Sequence, residues 1–236
     1  MSKLVNISDE VKRLDMEFNY GELKFVTGDE FTVSVEGADT EKIQVEVQDD
    51  VLRIYDERKN TKIKTKNLFF GKSLNFSNCD ITITIPRETR FDRVSLHTGA
   101  VEVHVDELYT GILIMEMGVG DIEIESLEVS NYGKVSMGTG DVEIHRGIFN
   151  DTDMHLGVGV AEIQAKFTGE SGISSGVGEL RLILQGNPEE YCVGAYKGVG
   201  SVSVEGLCVS GNTCYGTGQN KVNVSGGVGA INIQME

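Results

Sequence analysis

Seven short phrases built on Gly-x-Gly recur through the second half of this chain, and they constrain its fold more than any other feature. GVGDIEI starts at Gly118, GTGDVEI at Gly138, GVGVAEI at Gly157 and GVGELRL at Gly176. GVGSVSV follows at Gly198, GTGQNKV at Gly216 and GVGAINI at Gly227. HTGAVEV, from His97, and NYGELKF, from Asn19, are degenerate members upstream. The steps between first glycines are 20, 19, 19, 22, 18 and 11, and the short last step reads as a truncated terminal unit. A steady period of this length marks a repeat architecture, in which each unit buries its apolar face against the next.

Each unit holds two short alternating stretches. Ile122 and Ile124 alternate with Glu123 and Glu125, and after a polar turn Val135 and Met137 alternate with Lys134 and Ser136. Period-two alternation over four to six residues is the signature of half-buried strands. The expected fold is all-β: a single-domain parallel β-solenoid (β-helix) of about 20-residue coils, with equivalent strands stacked about 4.8 Å apart. Stacking demands columns. The residue between the glycines forms a β-branched one: Val119, Thr139, Val158, Val177, Val199, Thr217 and Val228. The pair after the glycines forms an apolar one, from Ile122/Ile124 through Val142/Ile144 and Leu180/Leu182 to Ile231/Ile233.

Parity places the corner. With Met117 and Val119 inward, strict alternation would also send Asp121 inward, yet Ile122 is the apolar residue. The phase must slip between Gly120 and Ile122, which calls for a glycine-built corner or bulge. The expected corner glycines are Gly120, Gly140, Gly159, Gly178, Gly200, Gly218 and Gly229.

The first third alternates in a different style. FTVSVEG, IQVEVQDDVLRIYDE and DITITIPRE read as strands, with a hairpin turn at Asp49-Asp50. RKNTKIKTKN, from Arg58, reads as an exposed edge or loop. Residues 1–95 are expected to cap the repeats of 96–236 and to be continuous with them, because a bare solenoid end exposes unpaired strand edges.

The formal net charge of −16 disfavours nucleic acid and anionic lipid. It leaves solubility, a cationic partner or bound divalent cations. No stretch approaches the roughly 18 apolar residues of a membrane-spanning helix, so direct membrane insertion by this chain is not expected. The N-terminus lacks the apolar run of a signal peptide. A native start at Met1 implies the cytoplasm; a removed leader implies the cell envelope or exterior. Cys79, Cys192, Cys208 and Cys214 form no CxxC pair. A Cys208–Cys214 disulfide is geometrically open to an oxidising compartment, but buried thiols are favoured.

No cofactor or catalytic site is expected. A phosphate loop needs a third glycine or a Lys-Ser/Thr ending before a helix, and GVGDIE has neither. Asp121 and Asp141 are too few for calcium, which takes six to eight oxygens. Glu102, Glu123, Glu143 and Glu162 read as an outward column, solvated first and a weak divalent-cation site second. His97, His104, His145 and His155 fit no triad spacing and read as surface residues. Tyr191, Tyr196 and Tyr215 suit either an interface or the taper of the stack.

Repeats of the form G-x-G-D/E-I/V-E-I/V, after LDMEFNYGELKFVTGDEF, resemble the bacterial putative adhesin family from about Leu14 to Ile233. The resemblance implies a β-solenoid whose function is otherwise unknown, in many members held at the envelope by an N-terminal membrane segment. It carries no catalytic or binding residue onto this chain. The expected function is a non-enzymatic, envelope-associated interaction or adhesion module for a protein or surface polymer. The alternatives are a cytoplasmic self-assembling scaffold and a carbohydrate-active enzyme.

Overall fold

The computed structural model describes residues 2–58, 79–196, 198–208 and 213–236. Sixteen strands follow one another: β1 (Ser2–Asn6), β2 (Arg13–Gly28), β3 (Thr32–Gly37), β4 (Ile43–Gln48), β5 (Val51–Asp56), β6 (Cys79–Pro86), β7 (Arg90–Val119), β8 (Ile122–Thr139), β9 (Val142–Asn150), β10 (Thr152–Thr168), β11 (Glu170–Leu184), β12 (Tyr191–Tyr196), β13 (Val199–Val204), β14 (Leu207–Cys208), β15 (Thr213–Tyr215) and β16 (Asn220–Met235). All belong to one sheet, and the described residues contain no α-helix. The run from β2 through β7, β8, β9, β10 and β11 to β16 is parallel throughout. The inward pairs, from Ile122/Ile124 to Ile231/Ile233, are buried, and they join one contiguous apolar core.

The residue between the two glycines points the other way from the parity argument. Val119 pairs with Thr139, Thr139 with Val158, Val158 with Val177, and Val177 with Val228. The valines of this column are 47% to 72% exposed, whereas Met117 is buried. The phase therefore slips before Val119, not after Gly120. The chain bends outward through Gly-Val-Gly, and the middle side chain rides on the convex edge. β-Branching still suits the position, since methyl groups of stacked extended residues pack against one another along the edge.

Gly120, Gly140, Gly159, Gly178, Gly200 and Gly229 have φ from +136° to +151°. A methyl group on Gly140 would lie 1.9 Å from the Gly120 carbonyl oxygen. The first glycines are close-approach positions too: a methyl group on Gly138 would sit 2.4 Å from the Gly118 oxygen.

Both ends of the stack are threaded out of chain order. β16 lies between β11 and the β12/β13 rung. β2 lies between β7 and the rung made by β5 and β6. The truncated terminal unit of the sequence reading is thus corrected. Residues from Asn220 onward make one full rung, with its corner at Gly227–Gly229 in register with Gly178. Thr217 and Gly218 stand before that rung. Gly218 lacks a positive φ, and its backbone instead crowds Glu190 and Tyr191. They belong to neither column.

Antiparallel pairs close the ends. β3 pairs on β6 and β1 on β3 at one end, and β15 pairs on β12 at the other. β7 runs unbroken through residues 95 and 96. Asp49 and Asp50, both with positive φ, form the two-residue turn between β4 and β5.

Arg58 is buried, which corrects its place at the head of an exposed basic run. Its guanidinium donates to Asp56 Oδ1 at 2.8 Å, to Asp56 Oδ2 at 2.6 Å and to the Tyr20 carbonyl at 2.7 Å. It also lies 3.9 Å from the centre of the Tyr20 ring. Burial works against the charge, and the bonds and charge of Asp56 outweigh it. Residues 59–67 of that run, and the side chains of Cys208 and Cys214, lie outside the described residues. Tyr191 is a core residue: its hydroxyl donates to the Gln185 carbonyl at 2.7 Å.

Candidate functional site

The outward valine edge separates two outer faces. On one side runs a polar track. Glu17 pairs with His97, Glu116 with Ser136, Ser136 with His155, and His155 with Ser174. His97 Nδ1 lies 3.4 Å from Glu116 Oε2, which links the first two pairs. Lys134 donates to Glu116 Oε1 at 2.6 Å, and this bond and its charge hold the Glu116 carboxyl below its usual range. A groove of about 620 Å³ follows the track, lined in part by Gly99, Gly118 and Gly138. Stacking brings polar positions that are about 19 residues apart in sequence into one line, roughly 4.8 Å per rung.

On the other side lies an acidic face, with a smaller but more enclosed groove of about 480 Å³. Here the expected glutamate column needs correction. Glu123, Glu143 and Glu162 are in register, but the residue stacked on Glu123 is His104, not Glu102. Glu102 pairs with Glu22 on β2. HTGAVEV matches the motif by its letters, but Val101 occupies the place of the corner glycine. Stepping back 19 residues from Glu123 reaches His104, and that signal was available in the sequence.

Asp121 and Asp141 have a local role. Asp121 Oδ1 accepts the backbone N–H of Asp141 at 2.9 Å, and Asp141 Oδ1 accepts that of Val160 at 2.7 Å. Each carboxylate ties one corner to the next, so the acid after the second glycine serves the backbone.

Like charges gather where β3, β6, β2 and β7 lie side by side. Glu36 pairs with Asp80, Asp80 with Glu22, and Glu22 with Glu102. Lys24 lies 2.9 Å from Glu22 Oε2. Burial, reinforced by Glu22, pushes the Asp80 carboxyl above its ordinary value, with Lys24 opposing. The folded state therefore binds this proton more tightly than the unfolded state. Stability falls as pH rises from the ordinary carboxylate value through the raised one, and the deficit is complete at neutral pH. Asp80→Asn should raise stability at pH 7 by up to about 1 kcal/mol after solvent screening, and should flatten the acid-side slope. Thermal melts at pH 4 and pH 7 measure both, and a variant less stable than wild type at pH 7 would contradict the assignment.

The stacked parallel rungs, glycine corners and outward columns define an all-β repeat protein. The chain belongs to the Toastrack DUF4097 family, whose model matches residues 11–205. A crystal structure of a putative cell adhesion protein from Clostridium sporogenes is 21% identical, over 100% of this chain and 99% of that one, with a TM-score of 0.45. A putative adhesin from Bacteroides fragilis is 16% identical, over 99% and 96%, with a TM-score of 0.47. A putative lipid binding protein from Parabacteroides distasonis is 15% identical, over 99% and 96%, with a TM-score of 0.38. No curated protein matches the chain.

Proposed function

We infer that this protein is a non-enzymatic, envelope-associated recognition module built on a β-solenoid, and that it binds an extended surface polymer along its polar track. Coiling is supported within β7 itself. A methyl group on Gly118 would lie 2.6 Å from the Gly99 oxygen in that strand. Nineteen residues of straight strand would separate the two by about 60 Å, which supports a chain that turns back on itself.

The observation that carries the binding reading is the groove over Gly99, Gly118 and Gly138. His97, Glu116, Ser136 and His155 supply donors and acceptors at rung spacing along one wall. A polymer laid across the rungs would meet the same chemistry again at each step, which is how repeat proteins build extended binding surfaces.

The scaffold alternative by end-to-end stacking draws less support. The pairing path ends in the short antiparallel strands β1 and β15, of five and three residues, and short edges resist strand addition.

Binding to an immobilised panel of bacterial and host polysaccharides tests the reading. At least one polymer should bind, and Ser136→Arg, which fills the groove, should weaken it tenfold or more. Retention of all binding by Ser136→Arg, or silence across the panel, would count against the track. Fractionation of the native cells tests the envelope assignment.

A further inference from the structure

We propose that Glu22, Glu102 and His104 form a binding site for a divalent first-row transition metal such as Zn²⁺. The site lies on the acidic face, across the valine edge from the polar track, and does not depend on polymer binding. One carboxylate oxygen of each glutamate and one ring nitrogen of His104 lie within 4.8 Å of one another. Glu102 and His104 are two residues apart on β7 and so project from one face, while Glu22 faces them from β2 in register.

The strongest argument is the orientation of the imidazole. His104 Nδ1 lies 3.0 Å from Glu123 Oε2 on β8. Its Nε2 faces the other way, 3.5 Å from Glu22 Oε1. The second oxygen of Glu22 is held by Lys24. A histidine that ligates a metal commonly donates its other ring N–H to a carboxylate, which fixes the tautomer and makes the ligating nitrogen more basic. Glu123 stands where that carboxylate is required. Two parallel strands, β2 and β7, supply the ligands, and a third, β8, supplies the carboxylate that orients the imidazole. Asp80 and Glu36 extend the row of negative charge beyond Glu22, and the carboxylates outnumber the one ammonium at the site, that of Lys24.

The donor set selects the metal class. Imidazole with carboxylates suits zinc and its neighbours, and water can complete a tetrahedral or octahedral shell. Calcium takes six to eight oxygens, and a site with one nitrogen and two glutamates on flat strands serves it poorly. A second cluster, Glu123, Glu125 and His145, provides an internal comparison. His145 Nε2 lies 3.6 Å from Glu143 and 3.8 Å from Glu125, and Glu123 is already engaged by His104.

Calorimetric titration of the chelator-treated full chain with ZnCl₂, and separately with CaCl₂, tests the site. Wild type should bind one Zn²⁺ with a Kd on the order of micromolar, and Ca²⁺ at least tenfold more weakly. His104→Ala and His104→Gln should each weaken Zn²⁺ binding tenfold or more. Glu123→Ala should weaken it by about 10- to 100-fold through loss of ring orientation. His145→Ala should leave it unchanged. Matching circular dichroism spectra and melting temperatures would show that the variants are folded, as expected for a partly exposed surface cluster. No Zn²⁺ heat with wild type, wild-type affinity in both His104 variants, or loss of binding in His145→Ala would each overturn the proposal.

Discussion

Gly140→Ala should lower the melting temperature by about 15 °C, while Gly186→Ala should lower it by only about 5 °C. Both glycines have positive φ, +139° and +113°. Alanine at either position bears the backbone strain, roughly 2 kcal/mol. They differ in surroundings. A methyl group on Gly186 meets nothing within 4 Å, whereas one on Gly140 would lie 1.9 Å from the Gly120 oxygen and 2.5 Å from Met137 Cε. Met137 can swing away. The Gly120 carbonyl cannot, because it belongs to the backbone of the neighbouring rung, and that rung is tied to Thr139, the residue before Gly140, by the Gly120 N–H donating to the Thr139 carbonyl at 3.1 Å. The rungs must part, breaking ladder bonds at the corner, for a total of about 5 kcal/mol. Thermal melts of the two variants against wild type separate strain from overlap. Equal shifts would mean that the corner yields more easily than its geometry implies.

The repeat period, the parallel stacking and the inward pairs could all be read from the residues, because burial on a pleated strand writes a period of two into the sequence. The Asp49-Asp50 turn could be read for a similar reason: two adjacent residues with positive φ favour a small set of side chains. The direction of Val119 could not. A β-branched residue fits an extended backbone whether it faces core or solvent, so residue type at a bend does not report the face. The burial of Arg58 was hidden because its partners, Asp56, Phe18 and Tyr20, come from two strands far apart in sequence. The His104–Glu123 pair was obscured by a motif whose letters aligned one way while the corner at Val101 set the register another.

Strand order escaped the sequence for a deeper reason. Every rung offers similar inward residues and a similar corner, so local pattern does not specify which rung lies beside which. The consequence is large at the C-terminus. A chain ending at residue 219 would have lost a rung from inside the stack, not a loose end. β16 pairs with β11 from Glu170 to Leu184 on one side, and with β12 and β13 on the other. Val222, Val224, Ile231 and Ile233 are buried in it. Four such side chains, at about 1.5–3 kcal/mol each, represent roughly 6–12 kcal/mol, comparable with the stability of a whole domain. Truncation should therefore unfold β12 to β15 as well, exposing 185–219 to limited proteolysis, and should abolish the cooperative melting transition of the full chain. Removing residues 1–7 is the informative contrast. Among the described residues β1 pairs only with β3, at the edge of the sheet, and its side chains are exposed or half-buried. That deletion should shift the melting temperature by only a few degrees, since an edge strand leaves its neighbour with one partner still in place. If the two truncations gave similar shifts, β16 would be acting as a terminal rung, and the interleaved order of the last rungs would be wrong.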